Sequence, residues 1–162
     1  ENLTSKNILL AIGRRGTPRK LNIPGENTEK VAYRLLEPEE IQDKDILIVG
    51  GGDSAVESAM LLADQNRVTI SYRNDVFQRI KQKNNERINE AIVNGNLKVL
   101  FKTNPVNIRK GDVILSDRDT SEEITIKNDL VYIFAGGELP TQFLQKIGLE
   151  ITKKFGEAIL KH

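Results

Sequence analysis

The apolar run Ile46-Leu47-Ile48-Val49 leads directly into Gly50-Gly51-Gly52-Asp53-Ser54-Ala55, and beyond it apolar residues recur with a helical period. A chain that turns on three glycines between a buried strand and a helix has few architectures open to it. Gly50, Gly52 and Ala55 fit G-x-G-x-x-[GA], the turn that seats a dinucleotide pyrophosphate on a helix N-terminus. Such a terminus carries unpaired N–H groups and about half a positive charge, so it attracts an anion. Gly50 permits the tight turn and Gly52 lets phosphates approach the backbone. Gly51 adds room, and Ala55 lets helix and strand pack closely. Asp53 and Ser54 have two readings: contact with the phosphates, or only stabilisation of the first helical turn.

The flanking pattern completes a strand–helix–strand unit. Val56, Ala59, Met60 and Ala63 form one apolar stripe on a helix expected from Asp53 to Asp64, and Val68 to Tyr72 reads as the next strand. A second helix is expected to begin at an N-cap near Asn84 or Asn85, to turn Ile88, Ala91 and Ile92 inward, and to stop at Asn94-Gly95. Leu97 to Phe101 supplies a third strand. From Pro105 the grammar changes to short runs, Val106 to Ile108, Val113 to Leu115 and Ile124 to Ile126, which predict an antiparallel β-meander. Asp129 to Phe134 is again a continuous apolar run, closed by Ala135-Gly136-Gly137. Thr141 is expected to cap a short helix with Phe143, Leu144 and Ile147 inward, ended by Gly148. Upstream, Lys6 to Ile12 reads as a buried strand and Arg14 to Glu26 as turns. Val31 to Ile41 reads as a helical turn interrupted by Pro38.

The tip of the second strand bears on which dinucleotide is bound. An NAD site usually places an acid about 20 residues after the glycines, to hold the ribose 2′-hydroxyl. Here that tip holds Tyr72 and Arg73, followed by Arg79, Lys81 and Lys83. A guanidinium there makes charge-assisted bonds to a 2′-phosphate that a carboxylate would repel, so NADP is favoured, with NAD still open. Tyr72 is placed to lie against the adenine. The two lysines read as an ordinary solvated loop.

Composition sets limits. The 162 residues suit one domain, and 24 basic against 23 acidic side chains give a net charge of +1, with no global pull on nucleic acid. One basic patch, Arg14, Arg15, Arg19 and Lys20, lacks aromatic stacking partners. The chain has no cysteine, which excludes disulfides, thiolate metal sites and a dithiol redox centre within it. No metal site and no catalytic acid, base or nucleophile is expected; His162, the sole histidine, reads as a bystander. No apolar segment approaches membrane-spanning length, so a cytoplasmic location and no membrane partner are the expectation.

These residues together resemble the NAD(P)-binding domain of thioredoxin-reductase-like flavoproteins, over nearly the whole chain. Gly50 to Ala55 matches that family's G-G-G-D-[ST]-A turn. Ile8 to Gly13 resembles its A-T-G-type strand and turn, with Ile12 in place of threonine, and Arg19 to Glu26 resembles its basic I-P-G-E segment. The family's H-R-R-D-x-F-R motif corresponds to Tyr72-Arg73-Asn74-Asp75-Val76-Phe77-Gln78-Arg79. Arg73, Asp75 and Phe77 match, Tyr72, Asn74 and Gln78 depart, and Arg79 replaces the last arginine if the loop shifts by one residue. Val131 to Pro140 resembles a later segment, which implies that Gly136 and Gly137 border the ribose and nicotinamide end; a plain strand-ending turn is the other reading.

The resemblance implies an α/β, Rossmann-like three-layer domain, a mostly parallel sheet with helices on one side and the meander on the other. Residues 1–162 are expected to be a single NAD(P)-binding domain excised from a longer reductase. Its partner would be an FAD-binding domain that holds the FAD this chain does not bind, and its electron acceptor is open. Without a C-x-x-C pair, the likeness leans toward ferredoxin–NADP reductase-like and bacillithiol-disulfide-reductase-like flavoproteins. A stand-alone dinucleotide-sensing module is the alternative. An S-adenosylmethionine-dependent transferase fits less well, because its site needs an acid where Arg73 stands.

Overall fold

Alternation along one strand decides the layers. In β2 (Asp45–Val49) the side chains of Ile46 and Ile48 enter one core cluster, while Leu47 and Val49 enter another, and all four are buried. A strand that is apolar on both faces must lie in the middle of three layers. The computed structural model of the chain describes residues 4–7, 9, 18–95, 97–138 and 141–151. Pro18–Gly136 form one unit, to which the following account applies.

Its strands are β1 (Val31–Ala32), β2, β3 (Arg67–Tyr72), β4 (Leu97–Phe101), β5 (Thr103–Ile108), β6 (Asp112–Asp117), β7 (Glu123–Lys127) and β8 (Leu130–Ile133); its helices are α1 (Asp53–Ala63) and α2 (Gln82–Val93). Among the described residues, five strands form a parallel sheet in the order β1-β8-β2-β3-β4. Strands β5, β6 and β7 form the antiparallel meander, with a register shift between Pro105 and Asn107. One face of the sheet packs on Val56, Ala59 and Leu62 of α1 and Ile88 of α2. The other packs on Ile108, Val113 and Leu115 of the meander. The expected three-layer α/β arrangement is therefore the observed one.

Local departures have physical reasons. Leu62, outside the expected stripe, is fully buried, whereas Met60 and Ala63 sit at the margin of the core. Helix α2 starts earlier than expected, at Gln82 after Lys81. Asn84 is no N-cap: it is buried inside the first turn, where its Nδ2 donates to Asp53 Oδ1 at 2.7 Å and Glu57 Oε1 at 2.8 Å. Within 31–41, Val31 and Ala32 pair with β8, and Pro38 opens a 3₁₀ turn (Pro38–Glu40) where a helical interruption was expected. Proline is favoured there because the first N–H of such a turn has no partner to lose.

The segment leading to the site is anchored by Glu26, which is 5% exposed. Its carboxylate accepts the Leu21 N–H at 2.7 Å, the Asn22 N–H at 2.6 Å and the Tyr33 hydroxyl at 2.8 Å. Burial alone would raise its pKa, but those bonds outweigh burial and hold it below the usual range. Burial and the Glu26 carboxylate push Tyr33 up to about 12. Gly25 lies at φ +80°, with the Ile108 carbonyl oxygen 1.8 Å from where a Cβ would stand. The I-P-G-E segment thus fixes a loop on the meander.

At the amino ends of the strands, Asp45 takes Arg67 Nε at 2.6 Å and Lys127 Nζ at 2.8 Å. Hydrogen bonds from Arg67 and then Lys127 overcome burial and bring its pKa down to about 2.

The second unit, described by itself, contains helix α3 (Thr141–Lys146), ended by Gly148 at φ +85°. Thr141 is its first helical residue. Phe143, and Ile147 just beyond the helix end, were expected to face inward but are each 50% exposed. The strand expected over Lys6 to Ile12 falls largely outside the described residues.

Candidate functional site

The strand order reverses at β2: β3 and β4 follow on one side, while β8 and β1 lie on the other. In an open parallel sheet the carboxyl ends of strands diverge at such a point and leave a crevice. A cleft of about 450 Å³ occupies that position. Residues that follow β2 (Gly50, Gly51, Gly52), β3 (Arg73) and β8 (Phe134, Ala135, Gly136) line it. Leu21 and Ile23 of the Glu26-anchored loop and Thr103 to Pro105 of β5 complete its wall.

The three glycines serve three purposes. Gly50 lies at φ +139°, and a Cβ there would stand 2.7 Å from the Phe134 carbonyl oxygen. Its amide donates to the Ser71 carbonyl at 3.1 Å, so the turn is locked between β3 and β8. At Gly51 a Cβ would stand 2.4 Å from the Tyr72 ring. Gly52, the N-cap of α1, has an ordinary extended φ of −99°, and a Cβ there would meet nothing within 4 Å. Neither backbone nor neighbours require glycine at 52; the space in front of it belongs to the cleft.

Among the described residues, three arginines line the cleft and no carboxylate does. Arg19, Arg73 and Arg79 reach it from the loop before Glu26, the β3 tip and the loop before α2. Among the described residues none of the three forms an ion pair. The Arg19 amide donates to the Gly136 carbonyl at 2.9 Å, which ties the incoming loop to the end of β8. The loop 73–81 is drawn across the start of α1 by a parallel bridge between Gly52 and Arg79.

Asp53 holds that loop. Its Oδ1 accepts the Lys81 N–H at 2.9 Å and Asn84 Nδ2 at 2.7 Å, and these bonds, the Lys81 amide foremost, lower its pKa. An ionised Asp53 is thus spent on protein partners. Ser54 is exposed at the first turn and Ala55 is fully buried against the sheet. Tyr72 lines the cleft but is only 8% exposed. Its ring fills the space Gly51 leaves and stacks on Phe77 at 5.5 Å, and its hydroxyl accepts Asn74 Nδ2 at 3.0 Å. It serves as a buttress under the glycine turn, with little face left for a base.

Of the residues expected from sequence, Gly50, Gly51, Gly52, Tyr72, Arg73, Arg79 and Gly136 converge on the one cleft. Gly137 belongs to the other unit. Arg19 was legible only as part of a basic patch, and Arg14 and Arg15 of that patch lie outside the described residues. Leu21, Ile23 and Phe134 carry no motif that would mark them. Among the described residues no cluster of acids or histidines could hold a metal, and no helix is long and apolar enough to cross a membrane.

The pyridine nucleotide-disulphide oxidoreductase family matches residues 1–161. This chain belongs to that family. Its members are FAD- and NAD(P)H-dependent reductases. Bacilliredoxin reductase Bdr of Bacillus subtilis is 33% identical over 158 residues, which cover 96% of this chain and 48% of the relative. A ferredoxin–NADP reductase of Ignicoccus hospitalis is 30% identical over 92% of this chain and 49% of its own length. The structure of bacillithiol disulfide reductase Bdr (YpdA) from Bacillus cereus superposes with a TM-score of 0.79 at 29% identity, covering 85% of this chain and 43% of that one. The chain thus spans about half the length of the curated relatives it matches.

The residues present fit the dinucleotide that family members use. The open space before Gly52 is one a pyrophosphate can fill at a helix N-terminus, and the surrounding side chains supply cations with no competing carboxylate.

Proposed function

We propose that this chain binds NADPH in the cleft at the strand-order reversal and orients its nicotinamide toward a flavin held by another domain of a longer reductase. The observation that carries the reading is Gly52: a glycine that neither conformation nor packing demands, opening into a cleft ringed by Arg19, Arg73 and Arg79. The amides at the start of α1 hold the pyrophosphate, with Gly50 and Gly51 shaping the turn. Ser54, exposed beside them, has a hydroxyl with no partner among the described residues and can meet a phosphate oxygen. Arg73 receives the adenosine phosphate and Arg79 lines the same end of the cleft, while Gly136 borders the opposite end, where Phe134 and Ala135 give an apolar wall. Bound there, the coenzyme supplies a hydride; the chain's own residues bind and orient it and contribute no acid, base or nucleophile.

The names of the relatives support an acceptor that is a low-molecular-weight or protein disulfide, or a ferredoxin. Since this chain has no cysteine, a disulfide acceptor would be reduced without a thiol pair from this segment.

The test is a side-by-side titration of NADPH and NADH against the chain and its Arg73→Ala variant. Wild type is expected to prefer NADPH. The variant is expected to lose about 2 kcal/mol of NADPH binding, the size of one charge-assisted hydrogen bond, and to keep its NADH affinity. Equal losses for both coenzymes would reject the 2′-phosphate role of Arg73.

A further inference from the structure

Beside the dinucleotide cleft lies a second depression of about 290 Å³, and the two share Arg73. Its wall includes Asp75, Lys102, Arg118 and Asp119. Arg118 comes from the turn between β6 and β7, far in sequence from the glycine turn and from the loop 73–81. Asp117 builds that turn by accepting the Asp119 and Thr120 amides at 2.8 and 3.0 Å. The Arg118 amide donates to the Lys102 carbonyl at 2.7 Å, and its Nη1 donates to the Arg73 carbonyl at 2.7 Å. The guanidinium is thereby fixed against the tip of β3.

We propose that Arg118 is a direct ligand of a phosphate monoester seated in this depression, the 2′-phosphate of an adenine dinucleotide, and so sets coenzyme selectivity together with Arg73. This assignment rests on the dinucleotide reading above. A guanidinium carries five N–H donors, and the bond to the Arg73 carbonyl uses one. Arg118 and Arg73 form no ion pair among the described residues, whereas Lys102, the third cation, is bound to Asp119. Asn74 donates one amide hydrogen to the Tyr72 hydroxyl and offers no cation here. Asp75 is a wall carboxylate without an ion-pair partner among the described residues, so the guanidiniums of Arg73 and Arg118 leave the depression net positive. The cation that the β3 tip lacks at Asn74 is supplied by the meander.

The experiment measures NADPH and NADH dissociation constants for the 162-residue chain and for Arg118→Gln and Arg118→Lys, with inorganic phosphate as competitor and the thermal midpoint as a control. Arg118→Gln is expected to weaken NADPH roughly tenfold, with NADH and the midpoint unchanged, and Arg118→Lys to restore part of the loss. A phosphate monoester gains its second charge near pH ~6, so the wild-type preference for NADPH should rise from about pH 5.5 to 7.5. That rise should flatten in Arg118→Gln, a change a purely structural arginine would not cause. Inorganic phosphate should compete with NADPH and leave NADH untouched. Equal losses for both coenzymes, no loss, or an unaltered pH profile would overturn this assignment alone. A wild-type chain that binds neither coenzyme would overturn the dinucleotide reading, and this assignment with it.

Discussion

Two glycines two residues apart should respond oppositely to substitution. At Gly50, alanine meets both a φ of +139° and a fixed carbonyl: its Cβ would stand 2.7 Å from the Phe134 oxygen. That oxygen cannot retreat freely, because the Phe134 amide is bonded to the Val49 carbonyl at 2.7 Å. Backbone strain of about 1–3 kcal/mol and crowding of about the same size give a loss of roughly 2–6 kcal/mol. For a domain of this size that lowers the melting midpoint by at least about 5 °C. At Gly52 a Cβ would meet nothing within 4 Å and φ is permissible, so the cost expected for valine is mainly the cap preference, about 1 kcal/mol. Gly52→Val should therefore melt within about 4 °C of wild type. Its side chain would nonetheless occupy the space assigned to the pyrophosphate. Loss of even two charge-assisted bonds there weakens both NADPH and NADH by at least about a hundredfold. Calorimetric titration beside thermal unfolding measures both quantities on the same sample. Undiminished binding by Gly52→Val would refute the pyrophosphate placement. Destabilisation equal to that of Gly50→Ala would show that Gly52 is glycine for the fold's sake.

Three further outcomes concern the scaffold. Asp45 has a folded pKa of about 2 against an ordinary 3.8, so its contribution is present above pH ~4 and is lost as pH falls toward ~2. The upper bound is about 2 kcal/mol, and the exposure of Arg67 and Lys127 reduces it to about 1; Asp45→Asn should show a correspondingly flatter acid limb in urea unfolding. Glu26→Ala should cost about 3 kcal/mol, since it leaves the Leu21 and Asn22 amides and the Tyr33 hydroxyl without their acceptor, and a urea midpoint equal to wild type would contradict that. Asp53→Ala should accelerate amide exchange at Lys81 and through the first turn of α2, and unchanged exchange would show that Asp53 does not latch the loop.

Where the local pattern and the tertiary demand coincide, the sequence was readable. Ile46 to Val49, the glycine turn and the α1 stripe all point to one answer, and the sheet, meander and crevice follow from them. Asn84 misled because a residue suited to an N-cap was required instead as a buried bridge between Asp53 and Glu57, a choice only the packing of α1 on α2 reveals. Tyr72 carries a second role that its sequence position did not show. Its position at a strand tip suggested a base-stacking face, but Gly51 and Phe77 use that ring as a buttress. Arg19 was legible only within a basic segment and Arg118 not at all, since the Arg19 amide bond to the Gly136 carbonyl and the Arg118 guanidinium bond to the Arg73 carbonyl cross long stretches of chain.

The charge of the cleft is a matter of placement, which is why a net charge of +1 gave no hint of it. Acids are plentiful in this chain, 23 against 24 bases, and some of them pair with cations elsewhere. Asp45 holds both Arg67 and Lys127, Asp119 holds Lys102, and Asp112 lies 3.8 Å from Arg109. A cleft evolved only for packing would have no reason to differ. Yet Arg19, Arg73 and Arg79 reach it from three separate segments, and among the described residues no carboxylate lines its wall. The three arginines are exposed, so solvent screens much of their mutual repulsion, and an anion arriving in the crevice would relieve the remainder. Such an arrangement argues that these arginines are directed at a ligand. The open helix N-terminus at Gly52 would add the backbone half of the anion site proposed here.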